Sequence, residues 1–90
     1  METVGYRFVP QDEIEKATGL LVRCGLKESE ALALIQDPEV AEWKRDTEPD
    51  ENGRFRFFVY LETARLPNGL WQCLDGLGVP ASFYLKEPAD

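Results

Sequence analysis

The chain contains no histidine, only two cysteines and no long apolar run, and each scarcity excludes a class of protein. Without histidine it has no Ser-His or Cys-His nucleophile pair, no imidazole metal ligand and no general base that titrates near neutral pH. No window approaches the roughly 18 apolar residues of a membrane span, and METVGYRFVP lacks the basic and apolar regions of a signal peptide. We therefore expect a cytoplasmic protein that binds no membrane.

The two cysteines also limit the chemistry of the chain. Cys24 and Cys73 form no CxxC motif, and two isolated thiols cannot supply a four-ligand zinc site unless carboxylates complete it. They lie far apart in apolar stretches, which favours reduced, buried thiols over a disulfide framework. We therefore expect no metal, no cofactor and no disulfide.

Acidic residues are concentrated in one segment. The chain has 17 acids and 10 bases, for a formal net charge of −7. Residues 28–51 contain nine of the acids and two of the bases, nine minus two, whereas the rest is balanced at eight of each. Such a charge disfavours direct binding of nucleic acid or anionic membranes and favours a basic protein surface as the partner.

At 90 residues the chain is long enough for one hydrophobic core and too short for two, which predicts a single domain over residues 1–90. Alternating Val4, Tyr6 and Phe8 predict a first strand that ends at Pro10. Helical spacing predicts two helices over 12–25 and 27–36, and Asp37-Pro38-Glu39 is typical of the start of a third, ending at Lys44-Arg45.

The second half of the chain shows a clear strand pattern and one ambiguity. The run RFRFFVYLE, residues 54–62, alternates as a strand, and residues 82–85 predict a last strand. Pro67-Asn68-Gly69 is compatible with a hairpin, but the apolar spacing favours a helix over 68–76. The sequence therefore predicts an α+β domain in the order β-α-α-α-β-α-β, a three-stranded, mostly antiparallel sheet with helices on one face.

The loop EPDENG, residues 48–53, partly matches the sequence pattern of a calcium-binding loop. Glu48, Asp50, Asn52 and Gly53 match the first positions of an EF-hand frame. Val59 then stands where a bidentate acid should close the site. We predict a turn leading into the strand, with no metal site and no catalytic residue.

Nine residues are candidates for binding a partner. Six acids come from the charged segment, two aromatic residues lie on the second face of the predicted strand, and a tryptophan lies at the edge of a helical apolar stripe. These are Glu39, Glu42, Asp46, Glu48, Asp50, Glu51, Phe58, Tyr60 and Trp71. Immunity proteins, nuclease inhibitors and phage anti-defence proteins, including anti-CRISPRs, are small acidic domains of this general kind. By analogy, we expect an inhibitor or regulator of a basic, nucleic-acid-binding protein, with its oligomeric state left open.

Two alternatives belong to other classes. The segment GLKESEALALIQDPEVAEWKR resembles the helix-turn-helix region of phage terminase small subunits, which implies a nucleic-acid-associated protein. Its candidate reading helix is acidic, unlike a DNA-contacting face. A carboxylate-based enzyme would require two acids with perturbed pKa values in one concave pocket.

Overall fold

Four strands and three helices are formed by residues 1–86, the part of the chain that the computed structural model describes. In chain order they are β1 Glu2–Val4, α1 Gln11–Arg23, α2 Glu28–Gln36, β2 Ala41–Arg45, β3 Phe57–Glu62, α3 Leu70–Leu77 and β4 Phe83–Lys86. Short 3-10 turns at Tyr6–Phe8 and Thr63–Arg65 follow β1 and β3.

The sheet has the order β1-β2-β3-β4, so strands adjacent in the sheet are also consecutive in the chain. The first three strands are antiparallel, whereas β4 runs parallel to β3. A parallel neighbour requires a crossover connection, and α3 lies within it. The α+β class is confirmed, but the sheet is four-stranded and mixed instead of three-stranded and mostly antiparallel.

The predicted third helix is wrong, because residues 41–45 form the strand β2. Asp37 ends α2, and its carbonyl accepts the amides of Val40 and Ala41 in a turn that leads into the strand. The apolar residues Ala41 and Trp43 then alternate with Glu42. Because β2 pairs with β1 on one side and β3 on the other, the backbone groups of this segment are bonded in the sheet.

The first predicted strand is wrong beyond Val4, because Tyr6–Phe8 form a 3-10 turn and the observed strand is β1, Glu2–Val4. It ends at Val4, and the Phe8 amide donates to the Gly5 carbonyl at 2.9 Å in a tight turn. Phe8 is left 78% exposed, while Val9 belongs to the core.

The helix predicted over 68–76 is confirmed as α3, and the hairpin alternative is excluded. Gly69 and Gly78 flank it with φ angles of 84° and 73°, which glycine adopts without a Cβ clash. The other predicted elements, α1, α2, β3 and β4, are present with small shifts of their ends.

All three helices pack on one face of the sheet. The buried cluster contains residues from each helix and from β2, β3 and β4: Ile14, Ala17, Leu21, Ala31, Ile35, Ala41, Trp43, Val59, Leu61, Leu70, Leu74 and Phe83, with Val9, Val40 and Leu66 beside them. The Trp43 indole N–H donates to the Ile35 carbonyl at 3.1 Å. This bond joins the end of α2 to β2.

The expectation of reduced cysteines is wrong, because Cys24 and Cys73 form a disulfide. The bond joins the residue that ends α1 to the middle of α3, across 49 positions of sequence, with Cα atoms 5.9 Å apart. Apolar surroundings suit a half-buried disulfide as well as a thiol, so sequence spacing could not distinguish the two.

Candidate functional site

The face of the sheet opposite the helices carries aromatic and charged side chains. We call this set the open face, defined as Thr3, Glu42, Lys44, Phe58, Tyr60, Glu62, Tyr84 and Lys86. These residues alternate along the strands with the buried cluster and lie beside one another in register, as in Glu42 opposite Tyr60 and Tyr60 opposite Tyr84. No helix belonging to residues 1–86 covers them, since each helix contributes to the core on the other side.

The aromatic residues of the open face support one another. The Tyr60 and Tyr84 rings stack with centroids 4.7 Å apart and planes 10° apart, while Phe58 is tilted against Tyr84 at 6.2 Å. Arg56 places its guanidinium 5.2 Å from the Phe58 ring centre. Phe58 is therefore 7% exposed, whereas Tyr84, on the outer strand, is 42% exposed.

Glu42 holds two lysines over Tyr60. Its carboxylate accepts from Lys44 Nζ at 3.4 Å and from Lys86 Nζ at 3.3 Å, and these ammonium groups lie 5.2 and 5.9 Å from the Tyr60 ring centre. Burial raises the pKa of Glu42, but the hydrogen bonds from Lys86 and Lys44 outweigh it and leave the pKa below its usual value. Glu42 is thus an ionised acid that is already paired within the chain.

Residues 46–56 form an ordered connection between β2 and β3, which we call the acidic loop. The Asp46 amide donates to the Arg56 carbonyl at 2.9 Å and closes its base. The Asp50 carboxylate accepts the amides of Asn52 and Arg54, both at 2.9 Å, and the Asp50 amide donates to the Arg54 carbonyl at 2.8 Å. The Arg54 and Asn52 amides lower the pKa of Asp50. Asp50 therefore organises the loop around its own side chain.

The acids of this loop form no direct ion pair within residues 1–86. Glu48, Asp50 and Glu51 are exposed, Asp46 is half-buried, and within residues 1–86 no cationic nitrogen lies within 4.0 Å of their carboxylates. Glu39 differs, because it pairs with Arg65 at 3.4 Å. The acids of the loop therefore lack direct ion pairs, although Arg54 and Arg56 attract Asp50 from a longer distance, whereas Glu39 and Glu42 are paired.

The nine predicted partner-binding residues fall into separate places. Glu42, Phe58 and Tyr60 meet on the open face. Glu39 lies at the end of β2 away from the acidic loop, since Glu39 precedes the strand and Asp46 follows it. Trp71, 38% exposed, lies on α3 in the helical layer, on the opposite side of the sheet from Phe58 and Tyr60.

Sequence reasoning missed the cations of the open face. Lys44 was interpreted as the positive end of a helix, and only the strand register places it opposite Phe58. Lys86 reaches the site because β4 pairs in parallel with β3. A period-2 pattern in residues 41–45 was the one signal that could have indicated Lys44.

The segment that resembles a helix-turn-helix does not form a helix pair. α2 is followed by a turn and by β2, which leaves no second helix between Asp37 and Arg45. Within residues 1–86, the two acids whose pKa departs from its ordinary value are Glu42 on the open face and Asp50 in the acidic loop, and both pKa values are lowered. The geometry therefore lends no support to a helix-turn-helix protein or to a carboxylate-based enzyme.

Comparison with protein-family models, curated proteins and solved structures returned no match for this chain. Among the described residues there is no cluster of three or more His, Cys, Asp or Glu side chains able to hold a metal ion. None of the helices there is long and apolar enough to cross a bilayer. The functional argument consequently depends on the charge and geometry of the two surfaces above.

Proposed function

We propose that this domain binds the basic surface of a partner protein through its acidic loop, and that it inhibits or regulates a partner of the nucleic-acid-binding type. The observation that carries the proposal is the absence of direct ion pairs in the ordered loop, which holds Asp46, Glu48, Asp50 and Glu51 without a cation at contact distance in the described chain. Such a surface complements a groove that otherwise accepts phosphates.

The internal bonds of the loop favour binding. Because the Asp50 carboxylate accepts the backbone amides of Asn52 and Arg54, the carboxylates of Glu48 and Glu51 are displayed from a backbone that is already ordered. A preorganised loop loses little conformational entropy when it meets a partner. Exposed charges of this kind accelerate association by steering, and their effect falls as salt increases.

The six predicted acids contribute unequally to this proposal. Glu39 and Glu42 would have to leave Arg65, Lys44 and Lys86 before they could pair with a partner. Glu48 and Glu51 have no such bond to break in the described chain. We therefore assign the main electrostatic contact to Glu48 and Glu51 and a scaffolding role to Asp50.

Tyr84 is the aromatic residue of the open face best suited to a basic partner. Lysines already lie over Tyr60 and an arginine over Phe58, but within residues 1–86 no cation lies over the Tyr84 ring. A cation placed on an aromatic face gains about 0.5–1 kcal/mol at an exposed site. Tyr84 therefore offers a secondary contact, and Phe58 offers little area.

The test is affinity capture from the native cell, followed by binding kinetics with the purified partner. The variant Glu48→Gln/Glu51→Gln removes two loop charges. Its matched control, Glu28→Gln/Asp75→Asn, removes two exposed charges at the start of α2 and on α3. We expect a partner with a basic surface, an association rate that falls with salt, and about fivefold weaker binding for the loop variant only.

Two outcomes would contradict the proposal. Equal losses in both variants would mean that net charge acts without a specific loop contact. Binding that persists at high salt and ignores the loop variant would transfer the interaction to another surface, and substitutions of Tyr84 and Trp71 would then locate it.

A further inference from the structure

The helix α3 is attached to the domain by few side chains. Leu70 and Leu74 are buried, at 5% and 0% exposure, whereas Trp71 and Leu77 are 38% and 37% exposed. Within residues 1–86, no side-chain hydrogen bond or ion pair joins residues 70–77 to another element. Two leucines and the Cys24–Cys73 disulfide therefore hold this helix in place.

The sequence of α3 is a weak helix former. The element has eight residues, well below the length at which an isolated helix is stable in water, and contains Gly76 in its last turn. The left-handed glycines Gly69 and Gly78 adjoin its two ends and give the backbone unusual freedom there. Without an attachment, the ordering of this segment is opposed by entropy.

The two residues of the disulfide are partly exposed to solvent. Cys24 and Cys73 are both half-buried, and the bond lies between the end of α1 and the surface helix α3. Thiol–disulfide exchange requires access of a thiolate to one sulfur, and enclosed disulfides resist it for that reason.

We propose that the Cys24–Cys73 disulfide is a redox-controlled clasp, whose reduction by a dithiol releases α3 from α1 while the rest of the helical layer and β1–β3 stay folded. A thiolate of the dithiol attacks one sulfur, the S–S bond breaks, and a mixed disulfide forms. The second thiol of the reductant then displaces the protein sulfur. Overall, two electrons and two protons pass to Cys24 and Cys73, and the dithiol is oxidised to a disulfide.

The remaining elements have contacts of their own. α1 buries Ile14, Ala17, Thr18 and Leu21, and α2 buries Ala31 and Ile35 against the same sheet. β2 and β3 are paired over five residues, and the indole bond of Trp43 joins them to α2. None of these pairings includes a residue of α3, although Leu70 and Leu74 belong to the same buried cluster.

Release of α3 also affects the open face. α3 lies in the connection from β3 to β4, and β4 supplies Tyr84 and Lys86. A freed connection loosens β4, which weakens the Tyr60–Tyr84 stack and withdraws Lys86 from Glu42. Reduction of the disulfide would thereby change the open face, which is separate from the acidic loop.

The experiment is a comparison of two-dimensional amide NMR spectra of the intact chain before and after treatment with dithiothreitol. We expect the signals of residues 70–77 to move towards unfolded positions or broaden, with smaller shifts in β4. Signals of α2, β2 and β3 should keep their oxidised positions. The double variant Cys24→Ala/Cys73→Ala should show the reduced pattern and ignore dithiothreitol.

Each other outcome overturns the proposal. A reduced spectrum identical to the oxidised one would show that Leu70 and Leu74 hold α3 alone. Loss of all dispersed signals would show that the bond supports the whole domain and releases no single element. A response of the double variant to dithiothreitol would show that the effect does not pass through this disulfide.

Discussion

Replacement of Trp43 by phenylalanine tests how the end of α2 is held on the sheet. Trp43 is 3% exposed on the inner side of β2, and its indole N–H donates to the Ile35 carbonyl at 3.1 Å. Ile35 lies in the last turn of α2, where carbonyls have no partner within the helix. Phenylalanine keeps an aromatic ring but cannot donate this bond.

The expected cost has two parts. A buried carbonyl left without a donor costs about 1–3 kcal/mol. The smaller ring also leaves a cavity beside Val59, which faces Trp43 on β3, and the lost apolar contact adds about 1 kcal/mol. The sum of about 2–4 kcal/mol is a large part of the 5–15 kcal/mol typical of a domain.

The assay is urea denaturation followed by far-UV circular dichroism, with Trp71→Phe as the matched control. Trp71 is 38% exposed, and no hydrogen bond of its side chain is present within residues 1–86, so its replacement should change the free energy of unfolding by less than about 0.5 kcal/mol. A Trp43→Phe variant within this margin of the wild type would refute the reasoning. So would equal losses in the two variants.

Three further predictions use the same denaturation assay. Removing the Cys24–Cys73 crosslink should lower the free energy of unfolding by about 4 kcal/mol, because the bond closes a loop of 49 positions and so restricts the unfolded chain. A loss under about 1 kcal/mol would mean that the bond does not act by restricting the unfolded chain. Backbone amides lower the pKa of Asp50, so the ionised carboxylate stabilises the fold above its ordinary pKa of 3.8, and this stabilisation is lost as the pH falls below that value. The variant Asp50→Asn should therefore show a weaker dependence of the free energy of unfolding on pH in this acid range. An unchanged dependence would contradict the role given to Asp50. Gly76→Ala, inside α3 with free space around it, should stabilise by about 0.5–1 kcal/mol, whereas Gly69→Ala, at φ 84°, should destabilise by about 1 kcal/mol; effects of the same sign would refute the conformational argument.

The elements that the sequence predicted well are those with an unambiguous local pattern. The alternation of β3 and the apolar stripe of α1 each have one periodicity, and both elements are present. Residues 37–45 are compatible with two periodicities, since Val40 and Trp43 match a helical stripe while Ala41 and Trp43 match the alternation of a strand. Pairing with β1 and β3 decides between the two periodicities, and the pairing with β1 connects residues about forty positions apart in the chain.

The candidate site was predictable to a similar degree. Phe58 and Tyr60 were assigned to the second face of a strand from alternation alone, and they lie there. Their partners Lys44 and Lys86 depend on the register between strands, which residue spacing within one segment does not contain. The same holds for the six acids, because their separation into paired and unpaired groups depends on distant cations such as Arg65.

The acidic loop also has a consequence for the order of folding. β2 and β3 are the antiparallel strands with the shortest connection, so their hairpin requires less loop closure than the β1–β2 pair, which spans both α1 and α2. The turn that must close for this hairpin contains Asp46, Glu48, Asp50 and Glu51, whose charges repel one another as the chain compacts. The surface proposed to attract a partner therefore opposes the strand pairing that needs the least loop closure, and added salt should speed the formation of the hairpin while it slows association with the partner.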